Sequence, residues 1–155
     1  MAEVILGISP GTRYTGIALL QEGELIDWHI KSYRGAFTDV KLRALLAAIS
    51  TLCGRHGVAA IACKVTHHKR SSPQLDSLLR LIALQAHQAG IAFRFYPLDV
   101  LKTEGIRNRK ALIERLARAY PELGTEFKRE QQNRTAYYLR MFEAVACASL
   151  ESKRK

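Results

Sequence analysis

Ile5-Leu6-Gly7-Ile8-Ser9-Pro10-Gly11-Thr12-Arg13-Tyr14-Thr15-Gly16-Ile17-Ala18-Leu19 decides how the rest of the chain is read. Two apolar runs flank Pro10-Gly11-Thr12, a turn signal, so the stretch predicts a buried strand, a tight turn and a second strand. The strands are expected over residues 3–9 and 15–21. Glu22-Gly23-Glu24 is another turn, and residues 25–30 continue as a third strand. Three strands at hairpin spacing make an antiparallel meander.

The apolar period then changes. Leu42, Leu45, Leu46, Ile49, Leu52 and Cys53 recur at helical spacing, predicting a helix over about residues 37–56 that stops at Gly57. Residues 58–63 form a short continuous apolar run, as in a central parallel strand. A basic loop over 64–72, a helix over 74–89 and a strand over 91–96 follow. Leu112, Ile113, Leu116 and Tyr120 mark a helix before Pro121. A last helix is expected over 130–150, with Tyr138, Met141, Phe142, Val145 and Ser149 along one side, and residues 151–155 read as a polar basic tail. The order β-β-β-α-β-α-β-α-α, without repeat or linker, predicts a single α/β domain over residues 1–150: a mixed five-stranded sheet flanked by helices.

The 155 residues leave length for a sizeable core. No apolar run is long enough to cross a bilayer, and Met1-Ala2-Glu3-Val4 lacks the basic start of a signal peptide, so a cytoplasmic location and no membrane partner are expected. Cys53, Cys63 and Cys147 form no CxxC pair and fall in apolar segments, which fits three buried thiols. Lys and Arg outnumber Asp and Glu by 24 to 14, a net charge of +10 that favours a polyanionic partner, most often nucleic acid. Neither GxGxxG nor GxxxxGK[ST] occurs, so no nucleotide cofactor is expected.

The element order and opening motif resemble the ribonuclease H-like fold and, more narrowly, the RuvC family of Holliday-junction resolvases. That family opens G-I-D-P-G-S/T-x-x-T-G. Gly7, Ile8, Pro10, Gly11, Thr12, Thr15 and Gly16 match, and Ser9 stands where the family has aspartate. The resemblance implies metal-assisted phosphodiester hydrolysis, in which four carboxylates hold two magnesium ions that clamp the attacking and leaving oxygens. The four come from the ends of strands 1 and 4 and from two positions three apart on the last helix. By that correspondence the places here hold Ser9, Lys64, Arg140 and Glu143. Positions 140 and 143 share a helix face whatever the family. Four negative charges thus become one, beside two positive and one neutral, and the local charge goes from about −4 to about +1, which repels a dication. The resemblance implies a lost catalytic site with no metal cofactor. Lys64 and Arg140 are expected to pair with Glu143, to hold DNA phosphate, or both.

Further cations are candidates for nucleic-acid contact: Arg13, Lys64, His67, His68, Lys69 and Arg70 near the strand ends, and Arg107, Arg109 and Lys110 where Asn108 is placed to cap a helix. Lys128, Arg129 and Arg134 are placed to extend that face. The leading expectation is a catalytically degenerate RuvC-like protein, possible as a homodimer, that binds branched DNA without metal-dependent cleavage. A second is an active magnesium-dependent endonuclease with relocated ligands, Glu143 with Asp27 or Glu104. A third is a non-enzymatic interaction domain using Leu75, Leu78, Leu79 and Ile82 of the helix over 74–89. The actin and sugar-kinase superfamily opens similarly, but it needs two such domains and its own aspartate at the place of Ser9.

Overall fold

β1 (Val4–Ser9) and β2 (Tyr14–Gln21) pair antiparallel from Val4↔Gln21 to Ser9↔Gly16, so the opening stretch is a hairpin. The computed structural model describes residues 3–11, 13–65, 72–97, 108–132 and 137–154. β3 (Glu24–Ser32) adds antiparallel to β2, β4 (Val58–Lys64) parallel to β1, and β5 (Ala92–Tyr96) parallel to β4. Among the described residues the strands make one mixed sheet in the order β3-β2-β1-β4-β5. This is the expected ribonuclease H-like arrangement.

Strand alternation sorts the core into two layers. Leu6 and Ile8 of β1, Ile17 and Leu19 of β2, and Ile61 and Cys63 of β4 face α1 (Asp39–His56) and α2 (Pro73–Gln88), meeting Leu45, Ile49, Leu78 and Ile82. The alternate positions Ile5, Ala18, Leu20 and Ala62 face α3 (Arg109–Ala119) and α5 (Leu139–Ser152), with Phe142 and Val145 at the centre. Leu75, Leu78 and Ile82 are buried in the first layer, so these residues of α2 are core rather than an interaction face.

α5 lies against the sheet more closely than side chains would allow. A Cβ on Gly7 would sit 2.0 Å from the Ala144 carbonyl oxygen, and one on Gly16 2.0 Å from the Arg140 carbonyl oxygen. Both motif glycines are therefore places where helix backbone touches strand backbone. Their absent side chains set the height at which the first turn of α5 crosses the strand ends.

Helix boundaries follow local chemistry. Thr38, Ser72 and Asn108 cap α1, α2 and α3, each accepting from a backbone N–H three residues on, and Gly57 ends α1 in the left-handed conformation at φ 61°. The last helix differs from expectation at both ends. Pro121–Leu123 is a 3-10 turn and Gly124–Gln132 is a separate helix, α4, while α5 begins only at Leu139. The Tyr138 N–H donates to Glu130 Oε2 at 3.2 Å, so α4 holds the turn that enters α5. At the other end α5 runs through Glu151 and Ser152, and the tail is shorter than 151–155. Glu151 is buried because Arg94 on β5 meets it, Nε to Oε1, at 2.9 Å. Among the described residues no helix is long and apolar enough to cross a membrane.

Candidate functional site

The sheet register brings the four corresponding positions together. Ile8 is paired with Cys63, and both face α1 and α2. The next residue of each strand, Ser9 and Lys64, therefore ends its strand on the opposite face, toward α5. Arg140 and Glu143 lie on the first turn and a half of α5, held over those strand ends by the close approach at Gly7 and Gly16.

Glu143 is the hub. Its carboxylate accepts a hydrogen bond from the Ser9 hydroxyl at 2.9 Å on Oε1. Lys64 Nζ donates to Oε2 at 2.6 Å, and Arg140 Nη1 donates to Oε1 at 3.5 Å. Ser9 is 0% exposed. The side-chain exposures are 8% for Glu143, 18% for Lys64 and 30% for Arg140, so the cluster is buried at its carboxylate and opens to solvent through its cations. A Cβ on Gly11 would meet the Tyr14 carbonyl oxygen at 2.5 Å and Arg140 Nε at 3.2 Å, so this glycine fits both the turn backbone and the guanidinium beside it. The turn above is closed by Thr15, whose hydroxyl accepts from the Gly11 N–H at 3.3 Å and donates to the Gly11 carbonyl at 3.2 Å. One turn further along α5, burial first and the Glu143 charge second push the Cys147 thiol up to about 12.

These residues do not fit a divalent metal centre. Magnesium needs several oxygen ligands in near-octahedral array. Here both oxygens of one carboxylate are engaged by an ammonium, a guanidinium and a hydroxyl. No group of three or more His, Cys, Asp or Glu among the described residues could hold a metal ion. Asp27, a candidate relocated ligand, lies on β3 near His29 at 4.0 Å, two strands from β1. Glu104, the other, lies outside the described residues, as do Thr12, His67, His68, Lys69, Arg70, Asp99, Arg107 and Arg134.

The remaining cations among the described residues lie on separate elements. Arg13 is exposed beside the hairpin turn, its guanidinium 5.4 Å from the centre of the Tyr14 ring. Arg109 and Lys110 are exposed on the first turn of α3, where they border a separate recess with Phe127 and Glu130. Lys128 and Arg129 are exposed on α4, and Arg129 Nη1 donates to the Tyr138 hydroxyl at 3.2 Å. Sequence reasoning passed over a groove of about 730 Å³ beside the cluster, where Tyr14, Tyr33, Phe37 and Tyr137 meet Arg13 and Arg34. The adjoining Arg13-Tyr14 and Tyr33-Arg34 pairs are the signal that could have found it.

No family model matches the chain, and no curated protein matches its sequence. Solved structures do match its shape. The RuvC of T. thermophilus in complex with its Holliday junction substrate has a TM-score of 0.68 at 16% identity, over 95% of this chain and 90% of that one. The Fowlpox virus resolvase in complex with substrate Holliday junction DNA has a TM-score of 0.60 at 11% identity, over 97% of each chain. The large terminase nuclease from thermophilic phage G20c has a TM-score of 0.57 at 14% identity, over 97% of this chain and 82% of that one. At these identities the likeness establishes a fold, the ribonuclease H-like nuclease fold.

Proposed function

We propose, from a fold shared with two Holliday junction resolvases, that this chain is a DNA-binding protein of resolvase shape that holds branched DNA without metal-dependent cleavage. The observation that carries the reading is the ion pair between Lys64 Nζ and Glu143 Oε2 at 2.6 Å. It puts a fixed cation where the resemblance implies metal ions. A two-metal reaction needs cations that clamp both the attacking and the leaving oxygens and lower the pKa of bound water. An ammonium or guanidinium can hold a phosphate oxygen, but neither supplies that Lewis acidity.

In this reading DNA crosses the edge where β1 and β4 end. Lys64 and Arg140 together carry one more positive charge than Glu143 offsets, and Arg13, Arg109 and Lys110 supply further phosphate contacts. His67, His68, Lys69, Arg70 and Arg107 are proposed contacts on sequence position alone. The net charge of +10 supports the sign of the partner. A homodimer in the cytoplasm, with no metal cofactor, completes the proposal; the dimer and the missing metal rest on the resemblance.

The test is binding of the purified protein to a labelled four-way DNA junction and to a matched linear duplex, over a salt series, with and without manganese, with products resolved. The expected result is metal-independent preference for the junction without cleavage. Manganese-dependent cleavage overturns the reading. Equal weak binding to both DNAs, lost at moderate salt, also overturns it and leaves only charge.

A further inference from the structure

We infer that the groove between the β1–β2 turn and the connection from β3 to α1 is a seat for an unpaired nucleotide, with the base stacked on tyrosine and the phosphate held by arginine. The inference rests on the proposed DNA binding and names what the same edge recognises.

The groove measures about 730 Å³, within the range of about 300–1,000 Å³ usual for ligand pockets. Its aromatic walls are Tyr14, Tyr33, Phe37 and Tyr137, its cations are the exposed Arg13 and Arg34, and no acidic side chain among the described residues lines it. That composition, flat apolar rings interleaved with positive charge, suits a nucleotide, which is flat on one side and anionic on the other.

Two features separate these rings from ordinary core. Tyr33 and Phe37 are anchored at the margin of the layer under α1, whereas Tyr14 and Tyr137 lie outside both core clusters, Tyr137 reaching the layer under α5 only through Tyr138. Tyr14 and Tyr137 meet edge to face, 5.2 Å between centroids at 83°, and Tyr33 and Phe37 meet at 5.2 Å and 74°. Tyr137 also meets Tyr138 edge to face at 4.8 Å, and Arg13 lies over Tyr14, so an entering base would stack on the remaining face area of the four rings, with Arg13 turning from the Tyr14 ring to the phosphate.

The groove is also held in shape. The Tyr33 N–H donates to the Arg13 carbonyl at 3.0 Å, tying the two arginine-bearing segments together. Lys41 Nζ donates to the carbonyls of Arg34 and Ala36, which fixes the far wall. The Tyr33 hydroxyl donates to Thr15 Oγ1 at 3.4 Å, and Thr15 closes the turn above Arg140. The hydrogen bonds from Tyr33 thus run through Thr15 to Gly11, which lies against the Arg140 guanidinium. A paired duplex buries its base faces within the stack and offers edges and phosphates, so it cannot use these rings; an unpaired base can.

The test uses the full chain and three DNAs: a fully paired four-way junction, the same junction carrying unpaired 2-aminopurine at the crossing, and oligothymidine. Binding is expected to quench 2-aminopurine fluorescence. Tyr14→Leu and Tyr137→Leu are each expected to weaken the unpaired-base junction and oligothymidine about tenfold. The paired junction should be little changed, and Tyr137→Phe should behave as wild type. A melting curve of each variant guards against misfolding, and the quench in the wild-type protein is independent of any substitution. If the paired junction binds but no quench occurs, or the leucine variants weaken all DNAs alike, the nucleotide seat is overturned and the proposed function stands. If no DNA binds, both fall.

Discussion

Replacing Glu143 by the isosteric glutamine removes the one carboxylate at the four site positions and leaves Lys64 and Arg140 side by side. The gross attraction across 2.6 Å is about 6 kcal/mol at an effective dielectric of about 20. Much of it offsets the cost of taking both charges out of water. Breaking a buried pair from one side costs about 3–5 kcal/mol, and the low end applies because Lys64 and Arg140 keep 18% and 30% of their side chains in solvent. A loss of about 3 kcal/mol corresponds to a fall in Tm of about 6–12 °C for a chain of this size. Glu143→Gln combined with Lys64→Met should recover at least about 1.5 kcal/mol relative to the sum of the single changes, because it removes the stranded charge as well. Thermal and urea unfolding followed by circular dichroism measure both numbers. The same Glu143→Gln protein should bind the junction with a steeper salt dependence, by about 0.9 in the log–log slope for each cation released to a phosphate. A Glu143→Gln protein within about 0.5 kcal/mol of wild type, or strict additivity in the double variant, refutes the hub role given to this carboxylate.

Installing carboxylates with Ser9→Asp, Lys64→Glu and Arg140→Asp should lower stability in chelator through like-charge repulsion and make Tm rise with manganese, while the wild-type Tm should stay unchanged; a metal-insensitive variant refutes the correspondence of these positions. Gly16→Ala should cost about 3 kcal/mol in urea unfolding, because its Cβ would meet the Arg140 carbonyl oxygen at 2.0 Å, whereas Gly54→Ala, with open space in α1, should gain about 0.5–1 kcal/mol. Burial, only partly opposed by Asp27, lowers the His29 pKa below its ordinary value of 6.5, so the unfolded chain binds more protons in that window. Stability should then rise with pH up to about 6.5 and be lost as pH falls through the lowered value, and His29→Asn should flatten that slope. The Cys63 and Cys147 thiols are pushed far above neutrality by burial, Cys147 to about 12, so a thiol reagent should leave them unmodified in the native protein and react with them in denaturant.

What could be read from the sequence was local or strictly periodic. The hairpin is legible because its turn chemistry and both apolar runs fall within fifteen consecutive positions. Residues 140 and 143 share a face by helix geometry alone. The start of α5 was illegible because the polar residues of α4 favour helix as much as those of α5 do, and the break is made by a Glu130 bond to the Tyr138 backbone. Glu151 looked like tail because an acid is buried only against a partner, and Arg94 lies 57 positions away on another strand. The aromatic groove draws on three separate segments, near residues 14, 33 and 137, and no single window contains it.

The side chains at the strand ends matter because the frame around them is close-packed. Gly7 and Gly16 let α5 touch the sheet, and Thr15 closes the turn. The side chains at positions 9, 64, 140 and 143 are thus held at fixed height, with little freedom to move away from one another. Four carboxylates in that space demand cations from outside. One carboxylate with an ammonium, a guanidinium and a hydroxyl demands none: Ser9, Lys64 and Arg140 saturate Glu143. The pairing has a functional consequence. Because one negative charge holds two positive ones, the cluster keeps about one net positive charge at an edge rich in other cations. On the proposed reading, attraction for phosphate is kept where Lewis acidity is not, and such a cluster would hold DNA without cutting it.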